Sequence, residues 1–230
     1  MNSVELAFKL LDELHSKNIE AYLVGGTSRD YLLHHDFLDI DICSKEVPSV
    51  NKEAMNDYEL VSKDGMYYGV LKYLIDDKDV EITTLRKEGK YIKNRRPEKV
   101  EFIRDLKVDS LRRDFTINAI YVDYKGNIYD YHNGVRDLNN KIINMIGDPL
   151  VRINEDALRI LRAIRLSAKL NFKLDENLKD IILKNYELVY SLNKTTLRKE
   201  INKFLEFLDL ELVKKILKDF NIELEKIYEY

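Results

Sequence analysis

Residues 21–42 read AYLVGGTSRDYLLHHDFLDIDI, and the rest of the chain is interpreted around this stretch. It starts with a short apolar run that ends at Gly25 and Gly26, which is the pattern of a buried strand that stops at a glycine turn. A helix is predicted to follow, with Thr27 or Ser28 as its N-cap. The two glycines and the free backbone N–H groups of that helix would form a pocket for phosphate oxygens.

An arginine and a pair of aspartates add charge to the same stretch. Arg29 would place a planar cation in the phosphate pocket. Residues 37–43, FLDIDIC, alternate between apolar and polar from Leu38 onward, which predicts a strand with one polar face. Asp39 and Asp41 would point to the same side, roughly 7 Å apart along the strand. Two carboxylates at that spacing can share a pair of Mg²⁺ ions with substrate phosphates.

Each of these patterns alone also has a common structural explanation. Asp-x-Asp occurs often on solvated strand faces, and Gly-Gly before Arg-Asp occurs often in loops, so it is their combination that favours a site. The segment VGGTSRDYLL followed by LDID resembles the signature of the class II nucleotidyltransferases, the family of CCA-adding tRNA nucleotidyltransferases and bacterial poly(A) polymerases. Ser28 is found where this family usually has valine and His34 where it usually has glycine, and neither difference removes a charged residue.

The composition of the whole chain limits the classes to which it can belong. Its 230 residues are enough for one large domain or two small ones, and 45% of them are hydrophobic, which is enough for a packed core. The net charge of −3 excludes a polybasic nucleic-acid binder, so RNA contacts must come from local patches. The single cysteine, Cys43, excludes an internal disulfide. No targeting segment or apolar run of membrane length is present, and the chain is expected to be cytoplasmic, without a membrane partner.

The regions on either side of the first stretch predict packing elements. Residues 4–17 have helical spacing of apolar side chains, with Asn2 and Glu5 as a capping pair. Residues 47–57 give no assignable pattern. Residues 58–85 alternate between apolar and polar, with two turn signals, which predicts strands that complete the same sheet.

A third carboxylate is expected on the strand VEITTLR, residues 80–86. Alternation places Glu81 on the polar face, where an ordinary exposed glutamate is the common explanation. The strand is similar to the one that carries the third acidic residue of the family named above. This resemblance implies that Glu81 joins the two aspartates as a catalytic residue and metal ligand. Asp79, on the same face, remains the alternative.

Residues 86–104, RKEGKYIKNRRPEKVEFIR, are rich in lysine and arginine. By composition alone the segment is a solvated loop. It resembles the family's flexible loop, which helps to switch nucleotide preference during addition and which members that add only C lack. Its presence favours A addition, and Arg95 and Arg96 are candidates for RNA contact.

Residues 112–119, RRDFTINA, resemble the family's RRDFTxNA motif without departure. A carboxylate such as Asp114 can accept a hydrogen bond from a ribose 2′-OH, and Arg112 and Arg113 can bind phosphates bidentately. The resemblance implies ribose recognition here, with Asn118 in the same nucleotide site. A capped amphipathic helix would explain the apolar positions of the segment, but not two arginines before an aspartate.

Two further segments resemble family motifs with structural roles. Residues 130–138, DYHNGVRDL, resemble a motif that the family uses as a hinge between its head and neck domains. Gly134 would supply the turn, although Asp and Gly are ordinary turn residues. Residues 196–200, TLRKE, resemble the last conserved segment of the family, to which we assign the role of bracing the neck helices.

A long helix is predicted over 150–170, and it places Asp156 beside Arg159. Cytosine and adenine both present an amino donor beside a ring-nitrogen acceptor, which an aspartate beside an arginine would match, whereas guanine and uracil present the reverse order. A simple salt bridge is the alternative. The segment EDALR coincides with the family's EDxxR motif, which implies base recognition by these two residues, with support from Glu155. Other basic residues of this helix are candidates for phosphate or RNA contact, with a solvated stripe as the alternative: Arg152, Arg162 and Arg165.

The motifs together predict an α/β (α+β) nucleotidyltransferase head with a mixed β-sheet over residues 1–145. An all-helical neck is predicted over residues 146–230, with the base-reading helix and the start of a body domain. The resemblance implies a Mg²⁺-dependent enzyme that adds C, C and then A to the 3′ end of tRNA from CTP and ATP, with release of pyrophosphate. Two Mg²⁺ ions would be held by Asp39, Asp41 and Glu81.

Several alternatives remain open at this point. A poly(A) polymerase would use ATP alone, and a CC-adding or A-adding enzyme would complete only part of the CCA sequence. A nucleotide-binding regulator without catalysis is disfavoured because all three acidic residues are retained, and a helical RNA-binding module would need none of the head motifs. Family members are usually longer, so weaker tRNA binding than theirs is expected. The sequence leaves the oligomeric state open, a homo-oligomer included.

Overall fold

The computed structural model describes residues 1–62, 64–89, 91–92, 96–97 and 99–228, with the side chains of 91–92 and 96–97 excepted. The chain divides into two compact units, an amino-terminal one of Met1–Gly89 with Lys99–Leu138 and a carboxy-terminal one of Lys90–Glu98 with Asn139–Tyr230. The predicted boundary between head and neck after residue 145 stays a prediction. No helix in the described ranges is long and apolar enough to span a membrane.

The first part of the chain alternates short helices with strands. The elements in chain order are α1 (Ser3–Ser16), β1 (Ala21–Leu23), α2 (Gly25–Leu32), β2 (Ile40–Ser44), α3 (Pro48–Ala54), β3 (Glu59–Ser62), β4 (Val70–Ile75), β5 (Lys78–Thr84), β6 (Arg86–Glu88), β7 (Tyr91–Ile92), β8 (Arg96–Pro97), β9 (Val100–Phe102), α4 (Leu106–Ser110), β10 (Ile120–Val122), β11 (Ile128–Asp130) and α5 (Gly134–Asn140). Short 3-10 turns occur at Met66–Tyr68 and Thr116–Asn118.

Within the described part of the amino-terminal unit, seven strands form one sheet in the order β11-β10-β1-β2-β5-β4-β3. β2 and β5 are parallel, and the other neighbouring pairs are antiparallel. This mixed sheet confirms the predicted fold class. A parallel pair needs a crossover connection, which α3, β3 and β4 provide here. As a result β2 and β5 lie side by side in the sheet, with side chains of equal register on the same face.

Helix α1 packs against this sheet with its apolar side. The Asn2 side chain accepts a hydrogen bond from the Glu5 backbone N–H, and the Glu5 side chain accepts one from the Asn2 backbone N–H, so the predicted capping box is confirmed. Buried leucines of α1 share one core with strand residues, among them Leu23, Ile42 and Ile82. Burial of such apolar surface stabilises the unit by about 25 cal/mol per Å².

The carboxy-terminal unit beyond Asn139 is mostly helical. Its elements are β12 (Ile142–Ile143), α6 (Pro149–Glu155), α7 (Leu158–Leu170), β13 (Lys173–Leu174), α8 (Glu176–Asn185), α9 (Lys194–Leu205), α10 (Leu210–Lys218) and α11 (Leu224–Tyr228), with a 3-10 segment at Tyr186–Ser191. β12 and β13 pair in parallel. The described part of residues 146–230 is mostly helical as predicted, and the two-residue β13 departs from that prediction.

The single helix predicted over 150–170 is wrong. Asp156 has extended backbone angles, with φ −147° and ψ 99°, and it separates α6 from α7. Its Oδ1 atom accepts a hydrogen bond from the Leu158 backbone N–H at 3.1 Å. An aspartate that caps a backbone N–H in this way competes with helical continuation, which explains the break.

Three other regions also differ from the sequence prediction. The strand predicted from Leu38 onward begins at Ile40, after a bend. The basic segment 86–104 is not a loop throughout, because β6 and β9 pair antiparallel at its two ends. Residues 47–57, which gave no pattern, contain α3. Each difference reflects contacts with other segments of the same chain, which apolar–polar alternation and composition do not encode.

Candidate active site

The glycine turn after β1 packs closely against the carboxylate of Asp41. α2 begins at Gly25 directly after Val24, and no side chain caps its N-terminus, so the prediction that Thr27 or Ser28 is the cap is wrong. Gly25 has φ +70°, and a Cβ atom there would lie 2.9 Å from the Asp41 Oδ2 atom. Glycine is therefore favoured by the backbone conformation, and any side chain at this position would have to displace the Asp41 carboxylate.

Thr27 ties α2 to the start of β2. Its buried hydroxyl donates to the Asp39 carbonyl oxygen at 3.1 Å and accepts from the Asp41 backbone N–H at 2.8 Å. These two bonds fix the backbone on both sides of Ile40, and with it the directions in which the two carboxylates leave the chain. This role of Thr27 was not predicted, because a threonine 14 residues before Asp41 carries no local signal of the contact.

Asp41 belongs to a row of charged residues that crosses three strands. In the parallel pair of β2 and β5, Asp41 is the register partner of Glu81, and in the antiparallel pair of β4 and β5, Glu81 is the partner of Lys72. Register partners point to the same face of a sheet. The Lys72 Nζ atom lies 3.0 Å from the Glu81 Oε2 atom. Glu81, rather than the alternative Asp79, is therefore the strand residue opposite Asp41.

The electrostatics of this row match those of a cation site. Asp39 lies exposed in the bend before β2. Burial raises the pKa of Asp41 to about 6, with the Glu81 and Asp39 carboxylates acting in the same direction and Arg113 in the opposite one. The hydrogen bond to Glu81 raises the pKa of Lys72. Asp39, Asp41 and Glu81 offer only oxygen donors and carry negative charge, which a hard divalent cation neutralises. These three residues therefore fit Mg²⁺ in donor type and charge.

The carboxylates of this region do not form a ready metal cage. Among the residues that the structure describes, no group of three or more His, Cys, Asp and Glu side chains is arranged to hold a metal ion. Asp41 and Glu81 are adjacent through strand register, while Asp39 precedes β2. The predicted metal set of these three residues stays a prediction.

The predicted phosphate-binding cation, Arg29, is buried and paired within the protein. Its guanidinium donates to both carboxylate oxygens of Asp30 at 2.7 Å and to the side-chain oxygen of Asn118 at 2.9 Å. Arg29 therefore links α2 to the RRDFTINA motif and determines how Asn118 is oriented. Contact of either residue, or of Gly26, with a phosphate stays a prediction.

Asp109, which was not among the predicted site residues, binds the two arginines of the RRDFTINA motif. Its fully buried carboxylate accepts hydrogen bonds from Arg112 Nε at 2.8 Å and Arg113 Nε at 3.1 Å, and also from the Arg86 backbone N–H and the Tyr121 hydroxyl. Burial alone would raise the pKa of Asp109, but the charges of Arg113 and Arg112 lower it to about 2. The three- and four-residue spacing from aspartate to arginine was a usable signal.

The rest of the RRDFTINA motif is held by the segment that follows it. Asp114 is buried, and its Oδ1 atom accepts a hydrogen bond from the Phe115 backbone N–H at 2.8 Å. A Cβ atom on Gly134 would lie 2.3 Å from the Thr116 carbonyl oxygen, so only glycine fits there. The Thr116 hydroxyl donates to Asp137 at 2.7 Å. The 130–138 segment thus supports the motif, while ribose recognition and the hinge role stay predictions.

In the carboxy-terminal unit, the predicted placement of Asp156 and Arg159 on one helix face is wrong. Asp156 lies in the break between α6 and α7. Arg159 is buried, and its guanidinium contacts the Glu155 carboxylate at 3.2 Å, which Arg152 also contacts, at 2.6 Å. Glu155 lies between two arginines and orients both. Base recognition by Asp156 and Arg159 stays a prediction.

The remaining predicted RNA contacts differ in their surroundings. Arg165 donates to the buried Glu200 at 2.6 Å, so α9 braces α7 in the way proposed for the TLRKE segment. Arg162 is half-buried on α7. Arg95 lies outside the described residues, as does the side chain of Arg96. The RNA contacts of these arginines stay predictions.

Comparison with known proteins identifies the family and the extent of the likeness. The poly A polymerase head domain family matches residues 21–144. A CCA-adding enzyme from Staphylococcus epidermidis is 40% identical over 173 residues, which are 75% of this chain and 42% of that protein.

Two solved structures are similar to most of the chain. The crystal structure of the Bacillus stearothermophilus CCA-adding enzyme in complex with CTP has a TM-score of 0.78 and 30% identity, over 93% of this chain and 51% of that chain. A tRNA nucleotidyltransferase complexed with a primer tRNA and an incoming ATP analogue has a TM-score of 0.74 and 28% identity, over 97% of this chain and 62% of that chain. The chain spans about half the length of the curated relatives it matches. Because the family match covers more than half of its residues, the chain belongs to the poly A polymerase head domain family.

Proposed function

We propose that this chain carries the catalytic and nucleotide-selecting part of a tRNA nucleotidyltransferase, which adds C, C and then A to the 3′ end of tRNA from CTP and ATP. The relatives support the proposal, since they are named CCA-adding enzymes and include complexes with CTP and with a primer tRNA and ATP analogue. The observation that carries it is the pairing of Asp41 with Glu81 in register, beside the turn at Gly25.

In the proposed reaction, the terminal 3′-OH of the RNA attacks the α-phosphorus of the nucleotide and pyrophosphate leaves. Asp39, Asp41 and Glu81 would hold Mg²⁺, with two ions in the proposal. Bound Mg²⁺ would lower the pKa of the attacking hydroxyl and stabilise the leaving oxygen. The chain itself contributes orientation, because Thr27 fixes the backbone of both aspartates and Gly25 leaves room for the second carboxylate.

Nucleotide selection is proposed for two places. Asp114 would accept a hydrogen bond from the ribose 2′-OH, which separates ribonucleotides from deoxyribonucleotides. Asp156 and Arg159 would bind the amino donor and ring acceptor that cytosine and adenine share, so guanine and uracil would leave buried groups unpaired. Glu155 contacts Arg159 and would restrict the orientation in which its guanidinium meets a base.

A poly(A) polymerase is the second candidate, because the family that matches residues 21–144 carries that description. Such an enzyme would accept ATP alone and would continue to add A. The two candidates share the transfer chemistry and differ in which base is accepted and in when addition stops.

Primer extension separates the two candidates. A tRNA that lacks its last three nucleotides is incubated with the chain, Mg²⁺ and each NTP singly, and then with CTP and ATP together. We expect two C followed by one A, and a rate on the order of 1000-fold lower for Asp41→Asn. Asp36→Asn is the matched control, because Asp36 is exposed in the segment before β2, and it should retain activity.

Each other outcome has a definite meaning. Long A tails with ATP alone would establish the poly(A) candidate. Extension by two C and no A would indicate a CC-adding enzyme. If the wild-type chain neither extends the primer nor binds CTP or ATP in equilibrium dialysis, the proposal is wrong.

A further inference from the structure

Lys72 forms the end of the charged row that also contains Asp41 and Glu81. Its Nζ atom lies 3.0 Å from the Glu81 Oε2 atom, with the lysine side chain 59% exposed and the glutamate side chain 33% exposed. Lys72 and Glu81 are register partners in the antiparallel pair of β4 and β5. The strand pairing itself therefore places the ammonium against the Glu81 carboxylate, whose register partner on the other side is Asp41.

Lys72 differs from the other cation that acts on this row. The positive charge of Arg113 acts to lower the pKa of Asp41. Its guanidinium is anchored by the buried Asp109 and lies 5.2 Å from the centre of the Tyr121 ring. Lys72 instead carries its charge on a flexible and exposed stem. One cation is thus fixed in the fold, and the other is able to leave the carboxylates.

We propose that Lys72 is a built-in counter-ion of the Asp41 and Glu81 carboxylates, which raises the divalent metal concentration that this site needs. The inference rests on the proposed function, since it takes the two carboxylates as metal ligands. In the metal-free chain the ammonium neutralises part of their charge. A divalent cation that binds the same carboxylates is repelled by the ammonium and must displace it from Glu81.

The consequence is a coupling between metal and nucleotide. A site whose charge is already partly neutralised binds a divalent ion weakly by itself. A nucleoside triphosphate brings further negative oxygens, which complete the coordination of the metal and offer the displaced ammonium a new partner. Lys72 therefore favours entry of the metal together with its nucleotide over binding of the metal alone.

The pair itself contributes little to the stability of the fold, because both side chains are partly solvated. Replacement of Lys72 should therefore leave the fold intact and act on the cation. The Coulomb energy scales with the product of the charges, so a divalent ion is affected twice as strongly as a monovalent one. We expect roughly threefold to tenfold tighter metal binding when the ammonium is removed from such a solvent-exposed site.

Binding of Mn²⁺ to the nucleotide-free chain, followed by electron paramagnetic resonance, tests this inference without any activity readout. Lys72→Met should bind Mn²⁺ more tightly than wild type, and Lys72→Arg should resemble wild type. Lys78→Met is the matched control, because Lys78 belongs to the same hairpin and pairs with Ile75, on the sheet face opposite to Glu81. It should leave Mn²⁺ binding unchanged. Unchanged or weaker binding in Lys72→Met would overturn the inference.

Two further comparisons separate this inference from the proposed function. Loss of Mn²⁺ binding in Asp41→Asn, with no effect of Lys72→Met, would leave the metal site in place and reject the counter-ion role. Equal Mn²⁺ binding by wild type and Asp41→Asn would reject both. Thermal unfolding gives an independent readout: addition of Mg²⁺ should raise the melting temperature of Lys72→Met more than that of wild type, since the variant binds the ion more tightly.

Discussion

Asp109 and Glu155 each hold two arginines, but they do so at different depths. The Asp109 side chain is 0% exposed, and it also accepts hydrogen bonds from a backbone N–H and a tyrosine hydroxyl. The Glu155 side chain is 32% exposed. Water screens the charges around Glu155 and competes for its oxygens, whereas the buried ion pairs of Asp109 have no such substitute. A carboxylate that binds two arginines is therefore fully buried in the amino-terminal unit and partly solvated in the carboxy-terminal one.

This difference suits the roles proposed for the two groups of arginines. Arg112 and Arg113 would meet phosphates, whose geometry is the same for every nucleotide, so a fixed position is an advantage. Arg159 would meet cytosine in two additions and adenine in the third. Arg159 is itself buried and also donates to the Arg152 carbonyl oxygen, so Glu155 is one of the contacts that orient its guanidinium for either base.

Neutralisation of the buried anchor should have the largest effect on stability. Asp109→Asn removes the anion that Arg112 and Arg113 share, and we expect the free energy of unfolding to fall by about 3 kcal/mol at pH 7. Urea denaturation followed by circular dichroism measures the change. Asp57→Asn is the control, because the Asp57 side chain is 79% exposed, and it should change the free energy by less than about 0.5 kcal/mol. A loss of unfolding free energy for Asp109→Asn no larger than that of the control would show that Asp109 is not a stabilising anchor.

The effect of Asp109→Asn on the free energy of unfolding should also depend on pH, and the lowered pKa of Asp109 determines its direction. The pKa of Asp109 is lowered to about 2 in the folded chain, below the value of about 4 for an unfolded aspartate. Its carboxylate thus stabilises the fold fully above the unfolded pKa and loses that contribution as the pH falls toward the folded pKa. The difference in unfolding free energy between wild type and Asp109→Asn should shrink from about pH 5 to about pH 3. A difference that stays constant or grows over this range would contradict the assignment.

A carboxylate of intermediate depth should have an intermediate effect. The Glu200 side chain is 4% exposed, but its partner Arg165 is 18% exposed and retains some water. We expect Glu200→Gln to lower the free energy of unfolding by about 2 kcal/mol. Glu211→Gln is the control in the same unit, since the Glu211 side chain is 83% exposed. An effect of Glu200→Gln equal to that of the control would show that partner exposure, rather than carboxylate burial, sets the scale.

Substitution of Thr27 tests whether burial also determines the stability contribution of an uncharged hydrogen-bonding residue. Thr27→Val keeps the shape of the side chain but removes the hydroxyl that bonds to the backbone of Asp39 and Asp41. We expect a loss of about 1.5 kcal/mol in unfolding free energy, because a buried N–H is left unsatisfied. Nucleotidyl transfer should fall further than the stability change explains. Thr27→Ser should recover most of both, and failure of serine to do so would assign the effect to packing of the methyl group.

The partly solvated anchor, Glu155, should have the smallest effect on stability and a separate effect on nucleotide binding. Glu155→Gln is expected to lower the free energy of unfolding by about 1 kcal/mol, because the Glu155 side chain is partly solvated while its two arginine partners are buried. If Arg159 reads the base as proposed, the Kd for CTP measured by calorimetry should rise severalfold, since the guanidinium is less well oriented. A large loss of stability with an unchanged Kd for CTP would show that Glu155 has a structural role like that of Asp109 and does not orient Arg159 for the base.

The sequence predicted best what depends on strand geometry. Alternation alone placed Asp41 and Glu81 on polar faces, and the resemblance to a family made Glu81 preferable to Asp79. Register then brought the two carboxylates together. The capping pair at Asn2 and Glu5 was also predictable, because its partners are three residues apart.

The sequence did not predict what depends on contacts between distant segments or on one unusual backbone residue. Thr27 contacts the start of β2 only after α2 has folded onto it, and Arg29 meets Asn118 across 89 residues of chain. The break at Asp156 was hidden because the flanking residues keep a helical apolar pattern on both sides. Asp109 was overlooked although its spacing to two arginines was visible, since burial is what makes that spacing matter.

The parallel pairing of β2 with β5 has a consequence for the order in which the chain folds. The β4–β5 hairpin is local and is able to form early, because its turn is short. The β2–β5 pairing requires α3 and the β3–β4–β5 meander to fold back first, and closure of that long loop is entropically costly. Asp41 and Glu81 therefore meet, and begin to repel each other, only when the surrounding sheet is complete enough to hold them together.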